Sequence, residues 1–512
     1  MSMLREGSGP LEASILVEAL RAIPAAFLAT GLVFHALIWA IATHFSEPSP
    51  PPQMAIALAF GREWLPGYDG LPPLAAWSSE LIYQWTGSLF AVRLAAAFCV
   101  ALAGWILFLF ARRIIGERQG AIAVLLMVSV FPVAFPGSAL TGELLQMPLA
   151  AAAILCWWMA VGERNPNAWM PLGAVLGAMF YAGPQALALL AVFVLLTLLS
   201  ARGRAGIFRL EALASLAVGL LIFLFVAAPR FFWIWQHGWS DLFPGPGSGI
   251  SAGEALTPLR LLFSILAGHF GFALLAFLAT AYLARAKENA PVFVREPVGL
   301  FAHRGVLALA ILPAAFALLS LYLLDRSVRP QFMVPLLMLG GMAAIVMGGE
   351  RLILRRQMLI GVIALIYVFV PPAMLLFSSF TPGWLNENRA ANWPAESAAR
   401  TFTNIYHTRT GRPLEYMIGA RVPAAQIAAL SEDRPHILID GDAKLTPWID
   451  PEAVKKKGGI VFWEIRGPNS APPAEYVARL PAFTEEAPLR LPWARGGGDP
   501  VRLGWAIVPP HN

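Results

Sequence analysis

From about residue 25 to residue 380 the chain alternates long apolar runs with short polar breaks, and then the alternation stops. A helix crossing the hydrocarbon core of a bilayer needs roughly 20 apolar residues, with a range of about 17–25. Runs of that kind lie near 25–43, 88–110, 120–136, 144–161, 212–229, 258–284, 305–324, 331–348 and 358–380. Two shorter runs lie at 170–182 and 185–200, divided by Tyr181-Ala182-Gly183-Pro184. That break reads either as a tight turn between two spans or as an interruption of one helix. With the pair counted separately, the pattern predicts about eleven transmembrane helices. From Thr381 onward the segments become short and polar. HILIDGD (436–442), GGIVFWEI (458–465) and LGWAIVPP (503–510) read as strands, and 395–411 and 424–431 as helices. The expected fold is mainly α. Residues 1–380 form a polytopic membrane domain with a first external loop at 44–87, and 381–512 form a small soluble α/β domain.

Composition sharpens the class. Of the 512 residues, 58% are hydrophobic and 13% charged, against roughly 25% charged in soluble domains. A net charge of +6 could suit nucleic acid, but the arginines sit in short clusters between apolar runs, a topological pattern. No nucleic-acid partner is expected. Arg112, Arg113 and Arg118 follow the second run, and Arg202, Arg204 and Arg209 the sixth. Arg285, Lys287, Arg295 and Arg304 follow the eighth, and Arg351, Arg355 and Arg356 the tenth. With eleven spans all of them fall on one side, which should be cytoplasmic together with the N-terminus. The loops 44–87, 137–143 and 230–257 and the tail then lie outside. Cys99 and Cys156 fall inside apolar runs and read as small buried hydrophobes. No cleavable signal peptide is expected, because the first run is long enough to span and lacks a small-residue cleavage site.

The first loop, SEPSPPPQMAIALAFGREWLPGYDGLPPLAAW (46–77), concentrates carboxylates, aromatics and prolines. Its stretches 54–64 and 74–85 have helical apolar spacing, which predicts two helices lying in the membrane interface. A first span followed by a loop helix ending in GREW and then by GYDGLPPLAAW resembles the GT-C glycosyltransferases. The likeness is to the bacterial branch similar to protein O-mannosyltransferases and the lipid A aminoarabinose transferase. VRLAAAFCVALAGWILFLFARRIIG, LLQMPLAAAAILCWW and APRFFWIWQHGW follow in the family's order. The resemblance spans roughly residues 25–260 and rests on order and spacing, since each segment is mostly aliphatic and aromatic.

The resemblance implies a multi-pass protein of a bacterial inner membrane, its C-terminal domain periplasmic. It implies transfer of a sugar, with inversion, from a polyprenyl-phosphate carrier to a lipid or glycan acceptor at the outer face. A carboxylate near the start of the first loop would act on the acceptor hydroxyl. Cationic side chains or a divalent metal would stabilise the departing phosphate. Counting back from GREW and GYDGLPPL, the family's aspartate falls on Gln53, which cannot take a proton but can orient a hydroxyl. Glu47, Asp69 and Glu143 are the carboxylates that could stand in. Asp69 in Tyr-Asp-Gly also suits a plain turn, and Glu143 a helix N-terminus. Tyr68, Arg230, His237 and Arg329 are candidate substrate-binding side chains. The two arginines, on the arginine-poor side, suit phosphate or lipid headgroups. No His, Asp or Glu set has metal-ligand spacing, and no P-loop, GxSxG or CxxC occurs. The alternative is a catalytically inactive relative that binds polyprenyl-linked glycan or partners an active enzyme. A transporter is disfavoured, because ionisable or helix-breaking residues are scarce at mid-membrane.

Overall fold

The structure, a computed structural model, describes residues 15–68, 70–127, 129–130, 136–238, 269–271, 273–275, 291–324, 334–354, 356–380, 390–467, 471–480, 483–495 and 499–510. Prolines punctuate its first third. After the short helix α1 (Ile15–Ala22), α2 (Pro24–Ser46) begins with proline in its first turn. This helix ends where Pro48 and Pro50–Pro52 remove backbone donors. Pro51 then caps α3 (Pro52–Gly61), and Pro72 caps α4 (Pro73–Thr86), each with proline at the first helical position, where its fixed φ fits. Gly87, at φ 63°, closes α4, and α5 (Leu89–Ile115) and α6 (Glu117–Met127) follow.

The bundle continues with α7 (Gly142–Trp157), extended by a π turn to Gly162, α8 (Trp169–Ala182), α9 (Gln185–Leu199), α10 (Ala201–Ile207) and α11 (Leu210–His237). It closes with α12 (Leu300–Leu324), α13 (Val334–Met347) and α14 (Gln357–Phe380). A two-stranded ribbon, β1 (Val292–Val294) with β2 (Arg351–Ile353), ties the loops at one end. Among the described residues five helices are long and apolar enough to cross a membrane, or up to six if α9 and α10, bent by 97°, form one span. The protein is therefore a multi-pass membrane protein, and its count of described full-length spans is lower than the expected eleven. The runs at 170–182 and 331–348 are helices of 14 residues each, and most of 258–284 lies outside the described residues.

Helix packing is close where glycines allow it. A Cβ on Gly173 would stand 1.9 Å from the Gly219 carbonyl oxygen, and one on Gly219 2.3 Å from that of Trp169. Backbones thus meet directly between α8 and α11, the small-residue packing typical of membrane helices.

The predicted strands appear in the tail as β4 (His436–Ile439), β5 (Gly459–Glu464) and β8 (Val501–Val508). A further strand, β3 (Tyr416–Gly419), runs parallel between β4 and β5. The sheet order is β4-β3-β5-β8-β6, where β6 is Thr484–Glu485, and β7 (Leu489–Leu491) also pairs with β8. Helices α15 (Ala395–Thr410) and α16 (Arg421–Leu430) match the two helices read in the tail.

The two ends of the bundle are closed by different contacts. At one, Arg113 pairs with Glu163 at 2.6 Å, Arg202 donates to the Gly162 carbonyl, and Arg295 to that of Gly349. At the other, the first loop meets the tail. For α3 the expected interfacial position is not what the structure shows, whereas α4 leaves Leu81 and Trp85 exposed. Met54, Ala55, Ala57, Leu58 and Phe60 of α3 are all fully buried, because α3 packs between α4 and α16.

Candidate functional site

A cavity of about 780 Å³ opens where α2 ends, and the segment 136–141 and α14 complete its wall. Trp39, Thr43 and Glu47 line it from the first span, Pro51 and Gln53 from the start of α3, and Ser138 and Thr141 from the second loop. Pro371, Met374 and Ser378 line it from the last span. Glu47 is the sole ionisable side chain among these described lining residues. Glu47 and Gln53 are brought to one wall by the helix-stop-helix geometry of the proline run.

Behind Glu47 stands Arg93 of α5, 4% exposed. Its Nη2 donates to the Glu47 carbonyl at 2.9 Å, its Nε lies 3.9 Å from Glu47 Oε2, and its Nη1 lies 3.3 Å from His44 Nδ1. A guanidinium can only donate, so His44 Nδ1 accepts and the ring carries its proton on Nε2. Burying such a cation is tolerable only with a counter-charge and hydrogen bonds, and Glu47 provides both. Sequence reading passed over Arg93, although an ionisable residue inside an apolar run is itself a signal. The lining residues of α14 gave no signal, because they are apolar residues of an apolar span.

The rim is held by the tail. Ser49 donates from its backbone to the Ala391 carbonyl at 3.0 Å and from Oγ to that of Trp393 at 2.6 Å. Gln426, 1% exposed, donates to the Pro50 carbonyl at 2.8 Å. Arg495 of the tail donates to the Phe45 carbonyl at 2.7 Å, and Ser379 of α14 to that of Ser46 at 2.6 Å.

The other predicted residues are placed differently. Glu143 sits in the first turn of α7, two residues past Thr141, and does not line the cavity. Tyr68 is buried, stacked on Phe60 and edge-on to Trp448, its Oη accepting from the Leu65 backbone N–H at 2.9 Å. Burial pushes its phenol pKa up, so it remains a neutral packing group. Arg230 is 2% exposed and donates to the Pro66 carbonyl at 2.9 Å, holding the first loop against α11. His237 is exposed and stacks on Trp233. Asp69 and Arg329 lie outside the described residues. Among the described residues no three His, Cys, Asp or Glu side chains converge to hold a metal ion.

A family profile for dolichyl-phosphate-mannose-protein mannosyltransferases matches residues 71–233. No curated protein matches the chain in sequence. The crystal structure of ArnT from Cupriavidus metallidurans bound to undecaprenyl phosphate is similar, with a TM-score of 0.61 at 14% identity. That match covers 95% of this chain and 98% of that one. The oligosaccharyltransferase of Archaeoglobus fulgidus, solved with zinc and sulfate, gives a TM-score of 0.44 at 13% identity, covering 85% of this chain and 67% of that one. Its apo form gives 0.40 at 12%, covering 81% and 64%. The fold is that of the GT-C membrane glycosyltransferases. Within that fold the chain resembles ArnT and the protein mannosyltransferases.

Proposed function

We propose that the chain transfers a sugar from a polyprenyl-phosphate carrier to an acceptor hydroxyl in the cavity at the end of α2. Glu47 is the acting carboxylate and Gln53 the residue that orients the hydroxyl. The observation that carries this reading is that Glu47 is the sole ionisable group among the described residues lining that cavity. In the reaction the acceptor oxygen forms a bond to the anomeric carbon. The bond from that carbon to the phosphate oxygen breaks, and the acceptor proton passes to Glu47. The lipid phosphate departs with the bonding electrons. No step is routed through a metal.

The cavity end is assigned to the periplasm of an inner membrane, and the arginine-rich end to the cytoplasm, on the positive-inside rule. Eleven spans with the N-terminus inside fit that assignment. A second reading, an inactive relative that keeps the lipid site, draws on Gln53 at the expected aspartate position and on the engagement of Glu47 with Arg93.

Reconstitution with radiolabelled polyprenyl-phosphate sugars separates the two. Glu47→Gln is expected to lower transfer by about 10²–10⁴-fold with carrier binding retained, while Glu143→Gln leaves it within a few-fold. Gln53→Asp is expected to keep or raise the rate. Transfer that ignores Glu47→Gln removes the assignment, and no transfer by wild type with any carrier sugar supports the inactive reading.

A further inference from the structure

A second cavity, of about 510 Å³, lies toward the arginine-rich end of the same bundle. Leu28 and Leu32 of α2, Leu125 of α6, Ile345 of α13 and Val368 of α14 form its walls, and Leu20 of α1 closes one side. Two glycines on α2 and α14 leave it open. Gly31 and Gly361 both line the space, and a Cβ on either would meet no heavy atom within 4 Å. Phe34 and Phe369, in edge contact at 5.9 Å, also line it.

Arg351 on β2 also borders this cavity, exposed, and among the described residues it makes no ion pair. Its ribbon partner is Val294, and beside that residue the Phe293 ring lies 5.9 Å from the Arg21 guanidinium of α1. The acidic groups nearby are Glu18, paired with Arg21 at 3.3 Å, and Glu350, next to Arg351 in sequence. An aliphatic chamber within a membrane bundle, with an exposed guanidinium at its edge, has the chemistry of one acyl chain and one phosphate.

We infer that this cavity holds an acyl chain of an anionic phospholipid drawn from the leaflet at the arginine-rich end, its phosphate against Arg351. The sugar carrier is a different occupant at a different place. Its reacting phosphate belongs beside Glu47, and Gly31 and Glu47 stand roughly 24 Å apart along α2 at 1.5 Å per residue. The inference does not depend on whether the protein transfers sugar.

Native mass spectrometry of the full chain in detergent, with phosphatidylglycerol, phosphatidylethanolamine or undecaprenyl phosphate added, tests it. Wild type is expected to retain phosphatidylglycerol over phosphatidylethanolamine by about fivefold, the preference one arginine near a headgroup supplies. Arg351→Gln, at an exposed position, should erase that preference. Gly31→Phe with Gly361→Phe fills the chamber and should lower phosphatidylglycerol retention about tenfold or more through lost methylene burial, with undecaprenyl phosphate binding unchanged. Equal retention of the two phospholipids by wild type overturns the inference. So does undiminished phosphatidylglycerol in the filled variant, or loss of undecaprenyl phosphate in its place, which would give the chamber to the carrier's tail. Absence of undecaprenyl phosphate binding throughout, with the phospholipid pattern intact, counts against the proposed transfer reaction and leaves this site standing.

Discussion

Arg93 explains why Glu47 is where it is. A guanidinium buried near the end of a transmembrane helix has to be compensated within the protein. The stop after Ser46 turns both the carbonyl and the carboxylate of Glu47 toward it. The same carboxylate faces the cavity, so one residue serves the fold and the proposed chemistry together. Removing one partner of a buried pair leaves the other uncompensated and costs roughly 3–5 kcal/mol, and the long separation here argues for the lower end, about 3 kcal/mol. We expect Arg93→Met to lower thermal stability in detergent by that amount. Glu47→Gln in the Arg93→Met background should then cost less than in wild type, because the charge it would strand is gone. Additive losses in this cycle would show that the two groups are not coupled, and Glu47 would then owe its position to the proline run alone.

At the scale of elements, glycine and proline set what the helices can do, and they do so with unequal visibility. The stops and starts around α3 and α4 are legible in the sequence, because Pro51-Pro52 and Pro72-Pro73 fix φ and remove donors at the first helical turn. The near-complete burial of α3 is not legible. Past Gln53 its residues MAIALAFG are apolar on all faces, which reads equally as a membrane-surface helix or as one enclosed by protein. Only the partner decides, and the partner, α16, lies some 370 positions downstream. Glu47 is legible as a carboxylate of the first loop. Its partner Arg93 carried the weaker signal of a charge in an apolar run, and the α14 wall carried none. Gly61 marks the tightest point of this packing. A Cβ there would lie 2.3 Å from the Ala76 carbonyl oxygen and 2.7 Å from Glu80 Cβ. Backbone cannot yield as a side-chain tip can, so Gly61→Ala must part α3 from α4. We expect a loss of about 1–3 kcal/mol, seen as a lower melting temperature. Gly206→Ala, where a Cβ meets nothing within 4 Å, should be neutral or slightly stabilising, since alanine is the better helix former. Equal effects at the two positions would mean that helix propensity, and not the contact, governs both.

Over the whole molecule, the change of pattern near Thr381 reads as an apolar bundle followed by a polar tail, and the basic clusters read as lying on one side of the membrane. What the pattern does not reveal is that the tail and the first loop share a core. Ala55, Ala59, Phe60, Tyr68 and Ala76 are packed in one cluster with Trp393, Phe402, Ile427, Phe462 and Trp505. Polar ties run through the same contact. Arg434 reaches Glu80 at 2.6 Å with its guanidinium 4.6 Å from the Tyr83 ring, and His436 Nδ1 lies 2.6 Å from Glu63 Oε1. Glu80 is 2% exposed, so without Arg434 a buried carboxylate would be left without its counter-charge, with the Gln84 amide at 3.0 Å as a neutral donor, which is costly. Its contacts at Ser49, Pro50 and Phe45 let the tail hold the segment that carries Glu47 and Gln53. A chain ending at Phe380 would therefore keep its membrane helices and lose the order of its first loop. Hydrogen exchange in detergent is the direct measurement. In the full chain the amides of 55–61 should be strongly protected. In the truncated chain that protection should fall by about two orders of magnitude or more, while the amides of α5 keep theirs. Arg434→Ala in the full chain should give a smaller loss confined to α3 and α4, and Arg400→Ala, on an exposed ion pair of α15, should give none. Full protection of 55–61 in the truncated chain would show that α3 is held by the bundle alone, and the tail would then be free to act on the acceptor without shaping the cavity.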